Sequence, residues 1–201
     1  MMIYTPLTKK ALKLAYNAHK GDTDKAGTPY IFHPVAVAEI VLDIFYKKRS
    51  RADTLVSGGY YIGNTNYFES DFVECLICVA LLHDVLKDNN TKHSLQTLLS
   101  EMTEVVEYSM NTSELEQKGK DEIIRKVNDI IEAIKILTNE KNKEHYLDYI
   151  SDIYLSKNEL AILVKIADLR HSMDTTRYGE ERIISEHQNL YKIARRILGD
   201  A

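Results

Sequence analysis

The sequence predicts an all-α protein, a compact helical bundle forming a single domain over residues 1–201. Three observations predict it. Apolar residues recur at the three- and four-residue spacing of one helix face in nearly every segment. Capping residues stand where those segments begin and end. No alternating strand–helix order, internal repeat or low-complexity linker appears. With 44% hydrophobic residues in 201, the chain can bury a substantial core, divided among about eight to ten helices.

The first helix follows Thr5, an N-cap residue, with Pro6 at the first helical position. Leu7, Ala11, Leu14, Ala15 and Ala18 share its apolar face, and Gly21 suits its end. The stretch "DTDKAGTPYI" contains Gly27 and Pro29 and is a predicted loop. His33 and Pro34 open the next helix, whose stripe is Val35, Ala38, Val41, Leu42 and Phe45. The pattern breaks over about 47–70, a predicted loop insertion with a short hairpin at "YYIGNTNYF". Residues 71–87 form a predicted helix that is apolar nearly all round, and therefore central. Ser94 caps a short helix, "LQTLLSEM", and "EVVEYSM" suggests another. The segments "DEIIRKVNDIIEAIKILT", "KEHYLDYISDIYL", "NELAILVKIADLRHSM" and "ISEHQNLYKIARRILG" continue the helical period, with Gly199 as a stop signal.

Composition narrows the function classes. A net charge of −4 and a pI near 6.0 give no basic excess that would make nucleic acid an obligatory partner. No stretch approaches the roughly 20 apolar residues of a membrane span, and "MMIYTPLTKK" holds no signal-peptide run. A cytoplasmic protein without a membrane partner is the expectation. Cys75 and Cys78 form a C-x-x-C pair with no second pair for zinc, so they are expected to be reduced core cysteines. His93, His145 and His187 sit in polar contexts and are expected at the surface; His19, before the first loop, suits either a pocket wall or a cap.

The chemistry concentrates in "CVALLHDVLKDNN", where an apolar run ends in adjacent His83 and Asp84. Two further sites stand out: His33 at a helix start, and Asp168, a carboxylate interrupting the apolar run "LVKIADLRHSM". An unpaired buried carboxylate or imidazole is costly, and one shared divalent cation would satisfy all four. Two nitrogens and two carboxylates suit Mn²⁺, Fe²⁺, Zn²⁺, Ni²⁺ or Co²⁺. Such an ion can lower the pKa of bound water and polarise a phosphoryl group. Spacing alone leaves plainer roles open: His33 as a cap, and Asp168 paired with Lys165 or Arg170.

Three motifs in order, "HP" at 33–34, "ALLHDVLKD" at 80–88 and "VKIADLRHSM" at 164–173, resemble the HD-domain metal-dependent phosphohydrolases. The nearest branch is similar to the RelA/SpoT-type (p)ppGpp hydrolase domain and the stand-alone small alarmone hydrolases. The likeness runs from "AHKGDTDKAGTPYIFHP" to the final helix. It implies that His33, His83, Asp84 and Asp168 hold Mn²⁺, and that the enzyme removes pyrophosphate from the 3′ position of a phosphorylated nucleotide, (p)ppGpp. It places Lys25, Ser172 and Thr175 on the nucleotide or its phosphates, with Ser172 standing where the family usually has Asn.

Two departures bear on the substrate. The alarmone hydrolases read H-D-x-x-E-D, and this chain has Lys87 in place of the Glu while keeping Asp88. Asp24 stands where the family commonly has an Arg that stacks on guanine; an aspartate cannot stack so and repels phosphate. Asp88 is the expected catalytic carboxylate. Lys87 suits a phosphate clamp, as in other HD branches, or a salt bridge to Asp88 or Asp84. Arg170 and His171 support the site, pack in the core or pair at the surface. The expected function is metal-dependent phosphohydrolysis of a phosphorylated nucleotide. The alternatives are another nucleotide or phosphodiester as substrate, or a catalytically weak nucleotide-binding sensor.

Overall fold

The structure, a computed structural model, describes residues 4–24, 26–55, 69–86, 94–112, 117–138, 145–174 and 185–200. The hairpin at 60–68, Lys25, Lys87, Asp88, His93, Thr175 and the side chain of His187 lie outside the described residues. Within them are eight helices and no strand beyond a single bridge between Thr23 and Pro29. They are α1 (Pro6–Ala18), α2 (Phe32–Leu55), α3 (Glu69–Leu82), α4 (Leu95–Thr112), α5 (Gln117–Thr138), α6 (Tyr146–Leu155), α7 (Glu159–Ser172) and α8 (Ser185–Ile197). The all-α architecture is as the periodicity predicts.

The local signals act as expected where a cap defines an end. Thr5 accepts the Thr8 N–H, and the Thr8 hydroxyl reciprocates to the Thr5 backbone, a capping box that starts α1 ahead of Pro6. Ser94 accepts the Thr97 N–H at 3.1 Å and starts α4. That helix is continuous, so the two short helices expected at 95–110 are one. Gly199, at φ 82°, lets the chain reverse after α8. The turned tail brings Asp200 under Arg170 and Arg195, both of which donate to its carboxylate. Arg170 is therefore occupied in tying α7 to the segment that follows α8.

Helix α3 is the centre. Every residue from Phe72 to Leu82 is buried, and α1, α2, α5 and α7 all pack against it. Burying each Leu or Ile of this run contributes roughly 1.5–3 kcal/mol relative to exposure, so the run is a large contributor to the driving force for the bundle. Cys75 and Cys78 are buried free thiols, and burial, with the neighbouring Cys75, pushes the Cys78 thiol well up, so it stays protonated. Both are core cysteines.

Two boundaries differ from the sequence reading. Helix α2 runs on to Leu55, past the break expected near 47. The added segment "KKRSRADTL" is rich in good helix formers but carries no apolar stripe, so periodicity does not register it. Helix α3 ends at Leu82 rather than 87, and residues 83–86 are turns, with the Val85 N–H donating to the Leu82 carbonyl at 3.1 Å. Val85 is buried like the helix before it, so apolarity continues past the point where the backbone turns.

Candidate metal centre

Three separate segments converge where α3 ends. The loop 19–31 delivers the start of α2, where His33 is the second residue. The turn after α3 supplies His83 and Asp84, and the C-terminal half of α7 supplies Asp168. All four residues are buried, none more than 7% exposed. Ligand atoms of His33, His83 and Asp168 lie within 4.8 Å of one another. Asp84 closes the set: its Oδ2 is 3.3 Å from His33 Nε2, and its Oδ1 is 3.2 Å from His83 Nε2. Asp168 Oδ1 lies 3.4 Å from His33 Nε2 and 3.9 Å from His83 Nε2. Leaving the helix at Leu82 frees His83 and Asp84 from the 100° separation that successive helical residues would impose.

The tautomer of His83 follows from one contact. Its Nδ1 is 2.7 Å from the Ala80 carbonyl, which can only accept, so Nδ1 carries the hydrogen. In the neutral ring Nε2 then presents a lone pair. That buried atom has no hydrogen-bond partner and faces carboxylate oxygens, which in their ionised form are also acceptors. Acceptors aimed at one another in a buried site need a cation between them. Two imidazoles and two carboxylates are a suitable donor set for a borderline divalent ion. The residues present therefore fit a divalent metal.

His33 shows the same demand for positive charge. Burial acts to lower its pKa, but hydrogen bonding to and the charges of Asp168 and Asp84 outweigh burial and push it up to about 9. A unit charge about 4 Å from a carboxylate gains about 4 kcal/mol at an effective dielectric of about 20, enough to offset substantial desolvation. The pocket holds a positive charge at this point, whether a proton or a metal ion supplies it.

Around the four side chains, further groups hydrogen-bond to them. The Tyr30 hydroxyl donates to Asp84 Oδ2 at 2.7 Å, and Lys165 Nζ donates to Asp168 Oδ2 at 2.9 Å. Lys165 is buried beside the rings of Tyr146 and Tyr149. Burial lowers its pKa, but the charge of Asp168 outweighs this and raises it well above the usual lysine value, so it stays a cation. The pairing of Asp168 with Lys165 that spacing left open is thus present together with the cluster. His171 Nδ1 lies 2.7 Å from His33 Nδ1. Lys165, Asp168 and His171 repeat every third residue and form the polar stripe of α7, which is otherwise largely buried apolar surface.

Of the residues expected to contact substrate, Ser172 is within the described part, and its hydroxyl donates to Asp168 Oδ1 at 3.4 Å, one turn back on α7. Asp24 has a local task. Its Oδ1 accepts the N–H groups of Ala26 and Thr28, both at 2.9 Å, and so shapes the loop that leads into His33. His19 is the C-cap residue of α1, the cap role the sequence allowed, and is buried with its ring 4.8 Å from that of Tyr30. His145 is exposed and pairs with Asp148. Tyr30 was not singled out by the sequence; its position three residues before His33, in the loop that must fold against the site, was the available signal.

Within the described residues no helix is long and apolar enough to cross a membrane. Comparison with known protein families matches residues 30–173 to the HD domain. The match opens at Tyr30, closes at Met173 and contains His33, His83, Asp84 and Asp168. The chain belongs to the HD domain family, whose members are in general metal-dependent phosphohydrolases.

Proposed function

We propose that the protein is a metal-dependent phosphohydrolase of a phosphorylated nucleotide, with a (p)ppGpp-like 3′-pyrophosphate ester as the first substrate to test and Mn²⁺ as the working metal. One observation carries the metal reading: the buried Nε2 of His83, its tautomer set by the Ala80 carbonyl, faces carboxylate oxygens and lacks a hydrogen-bond partner. His33, His83, Asp84 and Asp168 hold the ion. When bound, it polarises a phosphoryl oxygen and acidifies a coordinated water. The chain's own charges favour a phosphate. Asp84 and Asp168 contribute two negative charges and Lys165 one positive, so a divalent ion leaves the centre at about plus one with both imidazoles neutral.

The remaining roles follow from the motif order. Asp88 orients or deprotonates the attacking water, and Lys87 and Lys25 hold phosphate oxygens, with Ser172 and Thr175 beside the nucleotide. The domain is single, and the 47–70 region is an insertion within it whose first part continues α2. A cytoplasmic location agrees with the nucleotide substrate.

Incubating the purified chain and MnCl₂ with a panel of nucleotides tests this reading. Pyrophosphate release from ppGpp supports the alarmone assignment. Turnover confined to a monophosphate, cyclic nucleotide or other phosphoester moves the assignment to another HD branch. Lys87, in the place of a carboxylate, favours one second reading: a nucleotide-binding sensor with weak turnover. Activity that appears only in Lys87→Glu supports the sensor, and turnover by the native chain rejects it.

A further inference from the structure

His83 and His33 are oriented in different ways. A backbone carbonyl fixes the hydrogen of His83 on Nδ1. His33 Nδ1 instead meets another imidazole nitrogen, His171 Nδ1, at 2.7 Å, with the two rings 4.8 Å apart and both residues buried. At that distance a hydrogen must lie between the nitrogens, since two lone pairs would repel. Either ring can supply it, so the contact alone does not fix a tautomer. The other end of His33 does. Its Nε2 is the atom directed at Asp84 and Asp168, and it can serve a cation only with its lone pair free.

We infer that His171 is a positioning residue for the metal centre: its Nδ1 accepts the Nδ1–H of His33 and so holds His33 in the tautomer and ring orientation that present Nε2 to the ion. The inference rests on the metal reading above. The hydrogen of neutral His171 must then reside on its own Nε2. The device follows from helix geometry. Asp168 and His171 are three residues apart on α7 and project from the same face, so one turn of one helix supplies a ligand and the group that orients another ligand from α2. Partners of this kind usually are carboxylates or carbonyls, and their loss commonly lowers metal affinity about 10–100-fold. An imidazole acceptor performs the same task only in one of its own tautomers.

Two substitutions separate orientation from packing. His171→Phe keeps an aromatic ring and removes the acceptor. His171→Asn loses the ring but places an amide oxygen near the position of Nδ1. Titration calorimetry of MnCl₂ into the full chain is expected to show affinity lowered about tenfold or more in His171→Phe and near wild type in His171→Asn. Wild-type affinity in His171→Phe, or equal losses in both variants, would overturn the inference in favour of simple packing. A wild-type chain that binds no Mn²⁺ defeats the metal reading itself, and with it this one, so the two failures are distinguishable. Should His171→Phe not fold, nitrogen NMR of the wild-type chain with diamagnetic Zn²⁺ decides. A through-hydrogen-bond coupling between the two Nδ1 atoms with the hydrogen on His33 is expected; a hydrogen on His171 Nδ1, or no coupling, contradicts it.

Discussion

The two ends of α3 each carry a buried polar cluster, and the clusters are built on opposite principles. Near its start, Lys126 of α5 reaches Asp71 at 2.6 Å and Glu74 at 2.9 Å. Burial lowers the pKa of that lysine, but the two carboxylates outweigh it and raise the pKa, so the cluster contains its own cation in direct hydrogen-bonded contact. Past its end, His33, His83, Asp84 and Asp168 approach one another only to between 3.2 and 3.9 Å, and a buried lone pair of His83 faces acceptors. At the first cluster the short contacts all end on one lysine; at the second, Lys165 reaches Asp168 Oδ2 at 2.9 Å while Asp168 Oδ1 is turned to the imidazoles. The longer contacts among inward-pointing groups fit a divalent ion. The comparison separates buried charge that holds helices together from buried charge kept for chemistry.

Substitutions should break the two clusters differently. The largest effect is expected from Asp168→Ala, which should abolish bound metal and phosphohydrolase activity together, read by elemental analysis and by the nucleotide panel. Lys126→Met should leave metal content intact but destabilise the fold by about 3 kcal/mol, because the buried carboxylate of Glu74 and the half-buried one of Asp71 lose their partner; chemical denaturation measures it. Chelation should lower the melting temperature of the wild type, because an ion present at about 100 times its Kd contributes about 2.7 kcal/mol, and should leave that of Asp168→Ala unchanged. Acidity acts on the metal-free protein through His33. Its folded pKa, about 9, lies above the ordinary 6.5. The stabilisation it contributes is thus fully present below pH 6.5 and is lost as pH rises toward 9. Metal-free protein should therefore show a falling melting temperature across that window, and His33→Gln should flatten it. The smallest effect is expected at Thr5→Ala, about 1 kcal/mol from the lost cap of α1, with metal binding untouched.

Much of this was legible in the sequence, and the residues show why. Helices α1 and α5 announce themselves through a stripe and, in α1, a cap, because each has one wet face and one buried face. The end of α3 was not legible, because Val85 continues the burial of the helix before it while the backbone has already turned at His83. The continuation of α2 to Leu55 was missed for the opposite reason, since its charged residues carry no stripe to count. In the site, the four clustered side chains were conspicuous in the sequence because each is a carboxylate or imidazole at the edge of or inside an apolar run. Their orienting partners were harder to see. Tyr30 sits in a polar loop and His171 among other charged residues, and only the folded chain brings their atoms within 2.7 Å of a ligand. Lys165 was visible three residues before Asp168, but sequence alone offered it as an alternative to the metal site, and the structure has that pair within the His/Asp cluster.

The most direct measurement is the metal content of the purified chain, wild type against Asp168→Ala and Lys126→Met, by elemental analysis after Mn²⁺ loading and desalting. About one equivalent is expected in wild type and in folded Lys126→Met, and none in Asp168→Ala. Equal metal content in wild type and Asp168→Ala, or none in the wild type, would contradict this expectation.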